Sequence, residues 1–261
     1  MLEVMPIRAF NDNYLWLFHP PGKTDACIVD PGDARPVLEA LQEHKLNLEA
    51  IFITHHHADH IGGVDELLSH YKVPVYGPDS PDIPQVTHKL AQGDNVELFG
   101  HSFSVLEIPG HTLDHIAYFC GEKVVRDKPA LFCGDTLFAG GCGRVFEGTH
   151  AMMYASLQKL AVLPGDTQVF CAHEYTLANL KFALAVNPDN ELLVQRMARE
   201  KAKRSNDTPT VPTSIQLELE TNPFMRCQNS ELLSAAQQHA HQKLTGPARV
   251  FGVIRQWKDS F

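Results

Sequence analysis

The sequence predicts an α/β protein that ends in a smaller, mainly helical region. Three observations carry this. Short apolar runs bounded by Gly, Pro, Asp and Asn recur through the first two thirds of the chain. Helix-length stretches lie between some of them, which implies layers of helix against sheet. After about residue 174 the strand-like runs stop and helical patterns follow one another. The chain therefore divides into residues 1–173, an α/β domain, and residues 174–261, a smaller helical domain.

Strand-like runs of 4–6 residues, rich in Val, Ile, Phe, Tyr and Cys, occur at 14–18, 26–29, 50–53, 73–76, 103–108, 115–120, 130–133 and 168–171. A helix is expected over 34–44, with Asp33 as its N-cap, and others over 63–71 and 152–160, the last closing at Leu163-Pro164-Gly165. In the second region, 177–186 and 191–203 read as helices parted by Asn187-Pro188-Asp189. A further helix is expected over 230–242, and the Pro/Thr-rich stretch 206–213 reads as a loop.

The 261 residues suffice for one large core, or a large domain with a small one. Apolar residues are 44% and charged residues 20%, ordinary for a globular protein. A net charge of −9 argues against nucleic acid as a partner. No apolar run approaches the roughly 18–20 residues of a membrane span. The first residues lack a basic segment and apolar core, so a cytoplasmic location is expected. The six cysteines form no Cys-x-x-Cys pair and read as buried, reduced thiols. No long apolar helix calls for a partner copy, so a monomer is expected. Lys243, Arg249, Arg255 and Lys258 make the last segment locally basic.

The segment most dense in chemistry is Thr54-His55-His56-His57-Ala58-Asp59-His60-Ile61-Gly62-Gly63, which follows a strand. Alternate side chains of extended backbone point the same way, so His55 and His57 can reach one cation together. Asp59 and His60 stand where a helix begins and can turn toward a second. The intervening His56 points away and reads as structural. Three other ligand-type residues also follow strand-like runs: His111 after 103–108, Asp135 after 130–133, and His173 after 168–171. Such positions gather at one sheet edge, where α/β proteins place their sites. The remaining histidines, such as His19, His44, His88 and His239, read as surface or satisfied core residues.

His-x-His-x-Asp-His, followed in order by Gly110-His111, Gly134-Asp135 and His173, resembles the metallo-β-lactamase superfamily. That resemblance implies a four-layer αββα sandwich. Within the superfamily the chain is similar to the glyoxalase II family of hydroxyacylglutathione hydrolases. The stretches that carry this are Asp12-Asn13-Tyr14, Cys133-Gly134-Asp135-Thr136-Leu137-Phe138, Gly140-Gly141-Cys142-Gly143-Arg144, Phe146-Glu147-Gly148, Cys171-Ala172-His173-Glu174-Tyr175-Thr176 and Asn222-Pro223-Phe224-Met225-Arg226.

The resemblance implies two divalent metal ions, zinc by preference, with iron or manganese also fitting the nitrogen-and-carboxylate set. It implies that His55, His57 and His111 hold the first ion, that Asp59, His60 and His173 hold the second, and that Asp135 bridges them. Asp59 would also orient the hydroxide. The implied reaction is hydrolysis of S-(2-hydroxyacyl)glutathione, chiefly S-D-lactoylglutathione, to glutathione and D-lactate, the second step of methylglyoxal detoxification. Arg144, Phe146 and Tyr175 would line the glutathione site, and Arg255 and Lys258 would take its glycine carboxylate. Two positions depart from the family pattern. Asp114 stands where Gly is usual, able to pair with His115 or a neighbour, and reads as a tolerated loop substitution. Phe146 stands where relatives carry Tyr, which removes one hydrogen bond to substrate. Other readings on this fold are a one-iron persulfide dioxygenase, a hydrolase of lactones, lactams or nucleic acid, or a non-catalytic binder.

Overall fold

The computed structural model describes all residues 1–261. Their contacts group into two compact units, Met1–Glu107 with Asp114–Gly134, and Ile108–Leu113 with Asp135–Phe261.

The first unit holds strands β1 (Glu3–Ala9), β2 (Asn13–His19), β3 (Asp25–Val29), β4 (Asn47–Phe52), β5 (Val75–Pro78), β6 (His88–Leu90), β7 (Asn95–Leu98), β8 (His101–Glu107), β9 (Ile116–Val125) and β10 (Lys128–Gly134). Its helices are α1 (Ala34–His44), α2 (Ala58–Ile61) and α3 (Val64–His70). One sheet runs β1-β2-β3-β4-β5-β6, antiparallel at first and parallel from β3 onward. The other is antiparallel, with β8 between β7 and β9, and β9 between β8 and β10. The strand-like runs read from the sequence fall on β2, β3, β4, β5, β8, β9 and β10.

Period-two alternation sorts each buried strand between two faces. On β2, Leu15 and Leu17 join Ile28, Ile51, Val37, Leu41 and Leu67 in a cluster formed with α1 and α3. Phe18 faces the other way. It stacks on Phe132 at 5.3 Å and meets Phe103 at 5.5 Å, while Phe52 stacks on Tyr118 at 4.3 Å. This aromatic layer fills the space between the two sheets. A strand covered on both faces reads as an unbroken apolar run, as β2 does.

Asp33 caps α1 as expected, accepting from the Arg35 amide at 3.0 Å. β1 was not foreseen because Pro6 interrupts its sequence. The strand lies at the sheet edge, where a residue without an N–H is tolerated.

The second unit comprises the hairpin β11 (Leu137–Phe138) and β12 (Gly141–Cys142), the antiparallel pair β13 (Gln168–Cys171) and β14 (Thr213–Ser214), and six helices. These are α4 (His150–Ala161), α5 (Thr176–Val186), α6 (Glu191–Ser205), α7 (Ile215–Thr221), α8 (Ser230–Ala240) and α9 (Pro247–Asp259). The loop expected over 206–213 gives way at Thr213 to β14. α9 was not read as a helix from the sequence, because Val250, Gly252, Val253 and Ile254 are weak helix formers. Its buried face, Val250, Phe251, Ile254 and Arg255, supplies packing in place of propensity, and Pro247 starts the first turn. No helix is long and apolar enough to cross a membrane. None of the six cysteines is in a disulfide, and all are buried.

Candidate metal centre

In the first unit the ligand-type residues follow β4 directly. Asp30, at the end of β3, organises them from the neighbouring parallel strand. Its Oδ1 accepts from the Thr54 amide at 2.7 Å, and its Oδ2 accepts from the Thr54 hydroxyl at 2.7 Å. The same Oδ2 lies 3.0 Å from His60 Nδ1. Because the Thr54 hydroxyl donates to Asp30, its oxygen is left to accept from His55 Nδ1–H at 3.0 Å. Both histidines are fully buried, and this chain fixes Nδ1 as the protonated nitrogen in each. Nε2 is then the unprotonated nitrogen of His55 and His60, the one that can bind a cation, as in metal-ligating histidines.

His55 Nε2 lies 3.2 Å from His57 Nδ1, so two ring nitrogens converge. Asp59 Oδ2 accepts from Asn13 Nδ2 at 3.0 Å and stands 3.6 Å from His60 Nε2. The approach of the two loops depends on glycine. A Cβ on Gly32 would fall inside the Asp59 backbone carbonyl, and one on Gly63 would meet the backbone of Pro31 and Ala34. His115 stacks on His55 with ring centres 4.5 Å apart and directs its Nδ1 to the Ile116 carbonyl. Asp114 pairs with His56 at 2.9 Å, which gives both residues a structural task.

In the second unit His111, Asp135 and His173 meet. His111 Nδ1 donates to the Arg144 carbonyl at 2.8 Å, and its Nε2 is 3.4 Å from Asp135 Oδ2. The other carboxylate oxygen, Oδ1, is 3.4 Å from His173 Nε2. One carboxylate thus serves two imidazoles through separate oxygens. A Cβ on Gly143 would collide with the Asp135 carbonyl, so only glycine fits there. Tyr175 stacks flat on His173 at 4.7 Å, and Phe138 meets both rings edge-on.

Ligand atoms of His55, His57, Asp59 and His60 thus gather after β4 in the first unit, and those of His111, Asp135 and His173 gather in the second. Five imidazoles and two carboxylates, with the far ring nitrogens of His55, His60 and His111 engaged by protein acceptors, suit divalent cations of the zinc, iron or manganese kind. Sequence reasoning missed Asp30 and Thr54 as supports of this set. Asp30-Pro31-Gly32-Asp33 was legible only as a helix start.

The residues expected to bind substrate are arranged as follows. Phe146 is exposed, with its ring 5.3 Å from His111. Arg144 is exposed and lies 3.7 Å from Asp259 Oδ1. Arg255 is buried, only 2% exposed; it donates to the Cys142 carbonyl at 2.9 Å and to Asp259 at 3.1 Å, and lies over the Phe224 ring at 5.0 Å. Lys258 Nζ donates to Asn179 Oδ1, and Asn179 in turn donates to the Ala139 carbonyl at 3.1 Å. Burial first, and then the Arg255 charge, pushes the Lys258 ammonium down to about 8. Arg144 and Arg255 share the single carboxylate of Asp259, and Lys258 feels both of their charges. This part of the second unit is electropositive in a chain that is acidic overall.

Two family models account for nearly the whole chain. Residues 13–173 match the metallo-beta-lactamase superfamily, and residues 174–261 match the hydroxyacylglutathione hydrolase C-terminus. The chain is 48% identical to the hydroxyacylglutathione hydrolase of Nitrosomonas europaea, over 100% of its own length and 97% of that protein. It is 49% identical to the protein of that name from Vibrio campbellii, with 100% of both chains covered. Among solved structures, ETHE1 from Myxococcus xanthus matches with a TM-score of 0.66 at 24% identity, covering 100% of this chain and 99% of that one. TTHA1623 in a di-iron-bound form matches with a TM-score of 0.58 at 26% identity, covering 85% of this chain and 100% of that one.

Proposed function

The chain belongs to the hydroxyacylglutathione hydrolases of the metallo-beta-lactamase superfamily, and from that premise we propose how its side chains divide the work. Its fold is the α/β sandwich of that superfamily with additional C-terminal helices. It is an enzyme that hydrolyses the thioester of S-(2-hydroxyacyl)glutathione. S-D-lactoylglutathione is the substrate proposed, which makes D-lactate and glutathione the products. Residues 1–173 would carry the metal ligands, and the helical residues 174–261 would bind the glutathione part. The protein would act as a cytoplasmic monomer.

His55, His57 and His111 are assigned to one ion, Asp59, His60 and His173 to the other, and Asp135 to both. The observation that carries this is Asp135 itself, whose two oxygens each stand 3.4 Å from a different imidazole. Zinc is the preferred ion; iron is supported by the di-iron form of the similar TTHA1623. Two divalent cations held by these residues would supply a hydroxide near neutral pH and a Lewis acid for the thioester carbonyl.

The chain's own residues do the rest. Asp59, steadied by Asn13 and more exposed than the histidines, orients the attacking water and accepts its proton. The leaving thiolate has a conjugate acid of about 8.5 and departs without a general acid, so none is required of the protein. Arg144 and Tyr175 bind the cysteinyl-glycine portion of glutathione. Lys258, backed by the buried charge of Arg255, attracts the glycine carboxylate. Phe146 covers His111 and offers no hydroxyl, so it contributes apolar contact alone.

The test is hydrolysis of S-lactoylglutathione by the purified protein before and after chelation, with oxygen uptake on glutathione persulfide measured in parallel. Thioester cleavage that chelation abolishes and divalent ions restore is the expected result. Oxygen uptake without thioester cleavage would reverse it.

A further inference from the structure

A second group of metal-type side chains shares no residue with the catalytic set. β8 and β9 pair antiparallel through Ser104↔Phe119, Val105↔Tyr118, Leu106↔Ala117 and Glu107↔Ile116. Continued outward, that register sets His101, the first residue of β8, opposite Glu122, with Cys120 on the diagonal. Cys120 and Glu122 are two apart on β9 and so face the same way. The outcome is a cross-strand cluster in which ligand atoms of His101, Cys120 and Glu122 all lie within 4.8 Å of one another.

We propose that His101, Cys120 and Glu122 form an additional site for a zinc-class divalent cation. The donors are one imidazole, one sulfur and one carboxylate, a combination that suits borderline-soft ions and excludes magnesium and calcium. Three protein ligands leave one tetrahedral position for water.

The three groups differ in mobility as such a site needs. Cys120 is fully buried on a central strand and fixes the sulfur in place. Glu122 is half exposed and already within 2.7 Å of His101 Nδ1, so a small side-chain rotation admits an ion between them. Burial chiefly, with the charges of Glu122 and Glu97, raises the Cys120 thiol, while a hydrogen bond from the Glu122 amide and the amino group of Met1 draw it down. The thiol stays protonated until a cation takes the place of the proton, which then leaves to solvent. Dication, thiolate and carboxylate then balance in charge beside a neutral imidazole. The amino group of Met1 lies 3.3 Å from His101 Nε2, on the side of the ring away from Glu122. A bound ion would tie the start of β8 to the middle of β9.

Cobalt(II) tests this independently of the catalytic centre, because the seven residues assigned there include no sulfur. The purified protein, first stripped of metal by chelation, is titrated with Co2+ until all its sites are filled. The expected result is a thiolate-to-cobalt charge-transfer band in the near ultraviolet, and one more retained equivalent of metal than in Cys120→Ser. Thioester hydrolysis should be equal in the two. His101→Gln, a change at a partly exposed residue, should lose the extra equivalent even if the buried serine impairs folding. Absence of the band in the unaltered protein, or its persistence in either variant, overturns the proposal.

Discussion

Asp30 shows how one carboxylate can organise a metal centre it does not enter. Its oxygens hold the Thr54 amide, the Thr54 hydroxyl and His60 Nδ1, and through Thr54 they set the tautomer of His55. In Asp30→Asn the amide nitrogen would turn a donor toward groups that are donors themselves. Metal affinity should fall about 10- to 100-fold with the fold retained, the usual effect of losing a partner behind a ligand. Competition with a chromogenic chelator measures this, and unchanged affinity would remove Asp30 from the account. Lys258 gives a pH dependence. If its proton-bound form attracts the substrate carboxylate, as proposed, KM should rise above about pH 8, where that form is lost, while kcat holds. In Lys258→Ala, KM should be high throughout and flat over the same range. The stability effect has the opposite sense: the unfolded chain keeps this proton up to about 10.5, so the fold gains stability as pH rises from about 8.

At the scale of elements, a buried network fixes the β11–β12 hairpin between Asp135 and Arg144. Glu218, fully buried on α7, accepts from Arg196 and Thr213 at 2.6 Å, from the Gly140 amide at 2.8 Å and from Asn222 at 2.9 Å. Asn222 also donates to the Gly141 carbonyl at 2.8 Å. Glu218→Ala would leave the Arg196 charge buried without its carboxylate, a loss of about 3–5 kcal/mol in urea unfolding. A loss below about 1 kcal/mol would show that solvent reaches Arg196. Little of this was legible in the sequence. Glu218 and Arg196 look like ordinary helix-surface charges, and α7 is too short for a periodic signal. Asp30 was equally hidden, since Asp-Pro-Gly-Asp reads as punctuation. What could be read were the strands covered on both faces, whose apolar runs are unbroken, and the ligand segments just beyond them. The cross-strand group of His101, Cys120 and Glu122 was invisible because pairing register, not spacing along the chain, assembles it.

For the whole molecule, an acidic chain is proposed to meet a substrate that carries carboxylates by gathering its cations locally. Arg144, Arg255 and Lys258 surround one Asp259, so a net charge of −9 does not describe that part of the second unit. The proposed catalytic set is likewise assembled by folding, its seven side chains coming from four segments that follow β4, β8, β10 and β13. The central claim is that Asp135 serves two cations at once. Its direct test is metal content per chain, measured together with S-lactoylglutathione hydrolysis, in the unaltered protein and in Asp135→Ala. The account predicts two tightly held divalent ions and full activity in the first, and loss of at least one ion with activity down by several orders of magnitude in the second. Two ions and undiminished hydrolysis in Asp135→Ala would contradict it.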